Sequence, residues 1–85
     1  MSQAARNIQA RLLIKAIFAM GRDSSYSQAA DRLAAMLGLA FPSKAKGEDG
    51  RIAISRAAFD LMDSSAQAAF QAEAKQDIAI GEMKN

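Results

Sequence analysis

The sequence predicts an all-α fold: one small helical domain over residues 1–85, built from three or four helices with the first helix at the centre. Alanine, the strongest helix former, accounts for 20 of the 85 residues. Valine and threonine, which favour strands, are absent. A single run, Leu12 to Met20, is apolar except for Lys15. Together these three observations favour packed helices over a sheet.

The first predicted helix spans about Ser2 to Met20, and Gly21 is expected to end it in a left-handed conformation. At about 3.6 residues per turn, the run from Leu12 to Met20 is apolar on almost every side. A helix with such a surface must be central in its own fold or bury a second face against a partner. We therefore expect the first helix to be both the core of the domain and its main contact element.

One side of this helix combines positive charge with large apolar groups. Arg11, Lys15 and Arg22 fall within an arc of about 40°, taking about 100° per residue. Ile14 and Phe18 flank that arc. The pattern predicts that these five residues bind a protein partner, which is either a second copy of the chain or another protein.

The second predicted helix covers about Tyr26 to Leu37. Ser25 is expected to cap its start, with Gln28 as the capping-box partner, and Gly38 to end it. Its apolar face is predicted to comprise Tyr26, Ala29, Ala30, Leu33, Ala34, Met36 and Leu37.

After Pro42 the sequence predicts irregular structure. Residues 42–50 are polar and include two glycines, which is typical of a flexible loop. Residues 51–54 alternate in polarity, so we expect at most one short extended segment there, holding Ile52 and Ile54 in the core. No second strand is predicted to pair with it.

The remaining residues are predicted to be helical, and two arrangements are open. In the preferred one, Ser55 caps a third helix, the chain breaks at residues 63–65, and a fourth helix runs over about residues 65–80. In the other, one long helix covers residues 56–80, with a stripe of small residues suited to close packing. Residues 81–85 are expected to be a frayed tail.

Residues 33–39 (LAAMLGL) resemble the front half of a DNA-binding helix-turn-helix. Ala34 lies four positions before Gly38, the spacing at which a small residue allows the second helix of that motif to approach. The rear half departs from the motif, because Lys44 and Gly47 occupy positions where buried residues belong. The resemblance, over about residues 26–41, implies an alternative function as a small transcriptional regulator. Four basic residues would then contact phosphates: Lys44, Lys46, Arg51 and Arg56.

The amino-acid composition argues against several classes of function. The chain has no cysteine and no histidine, which removes disulfides, thiolate and imidazole metal sites, and the usual nucleophiles and general bases. We therefore expect neither catalysis nor a metal or cofactor. No signal-peptide or membrane-spanning pattern is present, so a cytoplasmic location is expected. The preferred hypothesis is a non-enzymatic interaction protein: an adaptor, an inhibitor or a regulator.

Overall fold

The computed structural model describes residues 1–73 of the chain, and this part contains four α-helices. They are α1 (Gln3–Met20), α2 (Ser27–Met36), α3 (Gly47–Asp60) and α4, which is helical from residue 64 to residue 73. The all-α prediction is confirmed. The predicted tail, 81–85, and the predicted helix beyond residue 73 lie outside the described residues.

The first helix is central, as predicted, because it supplies half of the core and packs against both α2 and α3. The buried apolar residues of the described chain are Ala10, Leu13, Ile14, Ala16, Ile17, Ala30, Ala34, Ile54, Ala58 and Met62. Five of these ten are alanines. Alanine side chains are short and allow close packing of helices. Because the other five buried side chains are larger, each of them contributes much of the buried apolar volume.

The start of α1 holds the corner between α3 and α4. Gln3 Nε2 donates to the Leu61 carbonyl over 3.0 Å, and Asn7 Nδ2 donates to Asp63 Oδ2 over 3.0 Å. In return, the Asp63 backbone N–H donates to Asn7 Oδ1 over 3.1 Å. Because the partners are more than fifty residues apart in sequence, these bonds fix tertiary structure and not merely a local turn.

The same corner decides between the two predicted C-terminal arrangements. The broken form is confirmed, and the single helix over 56–80 is wrong, because α3 ends at Asp60 and α4 begins at residue 64. Asp63 caps α4 by accepting a hydrogen bond from the Ala66 backbone N–H at 2.8 Å. Phe59 and Phe70 meet edge to face across the corner, with ring centroids 6.2 Å apart.

The predicted loop at 42–50 and the extended segment at 51–54 are corrected by the structure. Pro42–Lys44 is a 3-10 turn with Pro42 buried, and α3 already begins at Gly47. Asp31 of α2 anchors the turn, because its carboxylate accepts hydrogen bonds from both the backbone N–H and the hydroxyl of Ser43. Gly47 and Gly50, the two glycines that predicted a loop, therefore lie in the first turn of α3.

Gly50 has a packing reason for its place in α3. A Cβ atom at this position would lie 3.1 Å from the Ala45 Cβ. The missing side chain lets the first turn of α3 pack closely against the segment that precedes it.

The start of α2 also differs from the prediction. Asp23, not Ser25, supplies the cap: its Oδ1 accepts from the Ser25 backbone N–H at 3.0 Å and begins the 3-10 turn Ser24–Tyr26. On the predicted apolar face, Ala30 and Ala34 are buried, whereas Tyr26, Ala29 and Met36 are exposed. The fully buried part of this face is thus limited to two alanines, while Leu33 and Leu37 are partly buried and pack against the core beside them.

The two glycines expected to end helices behave differently. Gly38 has φ +71°, and its N–H and that of Leu39 donate to the carbonyls of Ala35 and Ala34 respectively. This is the Schellman arrangement, which requires a left-handed residue. Gly21 has φ −66°, an ordinary right-handed value, so the left-handed cap predicted there is wrong.

These conformations predict opposite effects for one substitution. Gly38→Ala should lower the free energy of unfolding by about 1 kcal/mol, because alanine is strained at positive φ. Gly21→Ala should be neutral or slightly stabilising, since alanine fits its φ and would make only an ordinary contact with the Phe18 carbonyl oxygen. Urea unfolding of both variants measures the difference, and a larger loss at Gly21 would contradict the assignment.

Acid should weaken the corner between α3 and α4. The hydrogen bonds from the Ala66 N–H and then from Asn7 lower the pKa of the Asp63 carboxyl below its ordinary value of 3.8. A lowered pKa means that the ionised group stabilises the fold above pH 3.8, and that this contribution disappears as the pH falls through the folded-state value.

Asp63→Asn isolates this effect, because asparagine still caps a helix but does not ionise. Wild type should be more stable than the variant at pH 7, and the gap in urea midpoint should shrink by pH 3. Asp60→Asn is the control, since Asp60 accepts no hydrogen bond from the described residues. A gap for Asp63→Asn that is equal at both pH values would refute the role given to this carboxylate.

Candidate functional site

The structure separates the two large apolar residues of the predicted contact surface. Phe18 is 63% exposed, whereas Ile14 is 3% exposed and belongs to the core. Ile14 lies one turn from Ala10 and from Ile17, both buried, so it shares their inward face. Burial thus removes Ile14 from the predicted surface and leaves Phe18 on it.

A second large apolar side chain accompanies Phe18 on the neighbouring helix. Ile52 of α3, which was predicted to lie in the core, is 49% exposed. Phe18 and Ile52 line the same two open depressions between α1 and α3, and we call them the Phe18–Ile52 patch. Their shared position makes this patch the leading candidate for a functional site.

The first depression has a volume of about 640 Å³ and lies towards the end of α1. Its charged lining residues are Arg22, Glu48 and Arg51. The second depression has a volume of about 420 Å³ and extends towards the corner between α3 and α4, where Phe59 and Phe70 line it. Its charged lining residues are Arg56 and Asp60. An apolar centre is therefore edged by charges of both signs, with arginine in excess.

The patch joins residues that the sequence assigned to two different functions. Phe18 and Arg22 were predicted to bind protein, and Arg51 and Arg56 were predicted to bind nucleic acid, yet all four line these depressions. Lys15 is exposed one turn before Phe18 on α1. These residues share a surface because α3 begins at Gly47, earlier than predicted. Residues 51–56 therefore lie on a helix beside α1.

The other predicted residues have different surroundings. Arg11 pairs with Glu73 of α4 over 2.7 Å, with both side chains partly exposed. Lys44 and Lys46 line neither depression, and Lys44 Nζ lies 5.8 Å from the centroid of the Phe41 ring. These three cations are therefore not part of the Phe18–Ile52 patch.

The DNA-binding resemblance is not matched by the arrangement of α2 and α3. Residues 37–46 separate these helices, and the segment includes its own 3-10 turn, whereas the DNA-binding motif has only a short turn between its helices. The first turn of α3 carries Glu48 and Asp49, two acids where a recognition helix would approach bases and phosphates. The left-handed Gly38 thus serves as a helix end without forming the motif.

A second exposed apolar region lies between α1 and α4. Ile8 is 59% exposed and Leu12 44% exposed, and both line a shallow depression with Phe70 and the Arg11–Glu73 pair. Positions 8, 12 and 18 together account for the apolar excess inferred for the first helix. Among residues 1–73, Arg11 is the one basic residue that lines this depression, and it is paired with Glu73.

Neither a membrane-crossing helix nor a group of three potential metal ligands occurs among residues 1–73. No protein-family model matches the chain, and comparison with curated proteins and with solved structures also finds no match. A function must therefore be inferred from the chain's own residues.

The different burial of the two predicted contact residues can be tested directly. Ile14→Ala should lower the free energy of unfolding by about 2–4 kcal/mol, because it opens a cavity in a small core. Phe18→Ala should cost less than about 1 kcal/mol, since most of the ring is in water. Thermal and urea unfolding measure both. Equal losses, or a greater loss for Phe18, would place Phe18 in the core and remove the patch.

Proposed function

We propose that this chain is a non-enzymatic protein-interaction domain, an adaptor, inhibitor or regulator that binds a protein through the Phe18–Ile52 patch. One observation carries the proposal: two large apolar side chains on adjacent helices are about half exposed or more, beside shared depressions. Burying them would recover hydrophobic free energy that the isolated fold forgoes.

The composition of the patch supports a protein partner. Interfaces between proteins are enriched in aromatic residues and arginine, with apolar groups at the centre and polar groups at the edge. Phe18 and Ile52 form such a centre, and Arg22, Arg51 and Arg56 lie at its edge. The depressions adjoining Phe18 offer room for an inserted side chain from the partner.

The chemistry of the chain favours binding over catalysis. The sequence provides neither histidine nor cysteine, and the depressions at the patch are open. The two carboxyls with shifted pKa values, Asp23 and Asp63, are lowered by hydrogen bonds that cap helical turns, which is a structural role. Because a cysteine-free fold does not depend on an oxidising compartment, the proposal includes a cytoplasmic location.

The proposal predicts which surface substitution abolishes binding. A tagged copy of the chain, incubated with nuclease-treated extract of its source organism, should retain a protein that the Phe18→Asp variant loses by about tenfold or more, since a hot-spot aromatic is replaced by a charge. Quantitative mass spectrometry of the retained proteins is the measurement, and circular dichroism confirms that each variant is folded.

Ile8→Asp is the matched control, because Ile8 is on the same helix and is 59% exposed, close to the value for Phe18. It should leave retention unchanged. Loss with Ile8→Asp but not with Phe18→Asp would move the binding site to the depression between α1 and α4. Absence of any retained protein sensitive to Phe18, together with a monomeric mass at all concentrations, would overturn the proposed function.

A further inference from the structure

The fold uses its acids and its bases differently. Among the seven carboxylates of residues 1–73, four accept hydrogen bonds from the chain itself: Asp23, Asp31, Asp63 and Glu73. Within the same residues, Arg11 is the one cation that forms an ion pair. Three of these acids thus hold turns or helix ends and a fourth pairs with Arg11, whereas the other bases of residues 1–73 form no ion pair with a described acid.

Basic residues surround the Phe18–Ile52 patch. On α1, Lys15 lies three positions before Phe18 and so neighbours it on the helix surface. Arg22, in the turn that follows α1, lines the first depression together with Phe18. On α3, Arg51 precedes Ile52 and Arg56 follows it by one turn. Among the residues that line the two depressions, Arg22, Arg51 and Arg56 outnumber Glu48 and Asp60, which leaves a net charge of +1 around an apolar centre. Lys15, exposed one turn before Phe18, adds a further positive charge beside it.

From this arrangement we propose that the partner's docking segment is an acidic amphipathic helix, with an apolar stripe that covers Phe18 and Ile52 and flanking carboxylates that face Lys15, Arg22, Arg51 and Arg56. The inference rests on the proposed function and specifies the chemistry of its partner. Complementary charge both accelerates encounter and selects among partners that share an apolar stripe.

The same charges disfavour a second copy as the occupant. Two copies meeting through this patch would each bring a surplus of positive charge to the interface, since three arginines and two acids line the depressions of each copy and Lys15 lies beside them. Like charges brought together at an interface oppose association. A homodimer through the patch should therefore be weaker than a complex with an acidic protein segment.

Duplex DNA is also a poorer fit than an acidic helix. Phosphates would be attracted to the arginines, but Glu48 and Asp60 line the same depressions and would repel them. Phe18 and Ile52 at the centre have no counterpart in a phosphate backbone, whereas an apolar helix stripe matches them.

The test uses defined probes and the full chain. One probe is a labelled helical peptide of about 20 residues with leucine at every third or fourth position and glutamate at the flanking positions. A matched peptide carries lysine in place of each glutamate, and a duplex DNA of about 20 base pairs is the third probe. Fluorescence anisotropy gives the dissociation constants at about 50 mM and 200 mM salt.

The glutamate peptide should bind about tenfold or more tightly than the lysine peptide, and weaken as salt increases. Arg51→Glu with Arg56→Glu should reduce its affinity by about tenfold or more, and Arg51→Gln with Arg56→Gln by less. Arg32→Glu, an exposed α2 residue that lines neither depression, should have little effect. The glutamine pair keeps the test decisive if the charge reversal unfolds the chain.

Equal binding of both peptides, or no binding of the glutamate peptide at about 100 µM, would overturn the acidic partner. Neither result would decide the proposed function, which is tested separately by whether Phe18→Asp abolishes capture of a protein. Tighter binding of duplex DNA through the same arginines would replace the inference with a nucleic-acid partner. Sedimentation showing a dimer abolished by Phe18→Asp would replace it with a second copy.

Discussion

Burial of α1 against α2 and α3 is the interaction on which the rest of the structure depends. Half of the buried apolar residues of the described chain come from this helix, and three of the other five are alanines. Leu33, Phe59 and Phe70 are among the partly buried residues that pack against this core. These neighbours cover only part of the surface of α1. Phe18 on one side, and Ile8 with Leu12 on another, consequently remain exposed. The candidate site is thus a direct consequence of how the core is built.

The features that could be predicted from the sequence depend on local patterns. The all-α class follows from the alanine content and the missing strand formers, and the central place of α1 follows from its nearly continuous apolar run. The end of α2 at Gly38 and the break before α4 are marked by residues whose backbone preferences act within one helical turn. Such features can be predicted without knowing which distant residues are in contact.

The features that could not be predicted from the sequence depend on contacts between distant residues. Helix α3 begins early because Asp31, in α2, holds the turn at Ser43, and because Gly50 fits against Ala45. That early start turns Ile52 outwards and brings Arg51 and Arg56 to the side of α1. Likewise, helical spacing alone placed Ile14 and Phe18 on either side of one basic arc. Only the packing of the other helices shows that one is buried and the other exposed.

The most direct test of the account is ¹⁹F NMR of the chain labelled with fluorophenylalanine, which reports on four rings: Phe18, Phe41, Phe59 and Phe70. In the isolated protein, Phe18 should show the largest change in chemical shift between H₂O and D₂O, because its side chain is the most exposed of the four. When the captured partner is added, that solvent sensitivity should disappear at Phe18 and persist at Phe41. A Phe18 signal that is insensitive to solvent before any partner is present would show that the chain covers this ring itself, and would contradict the account.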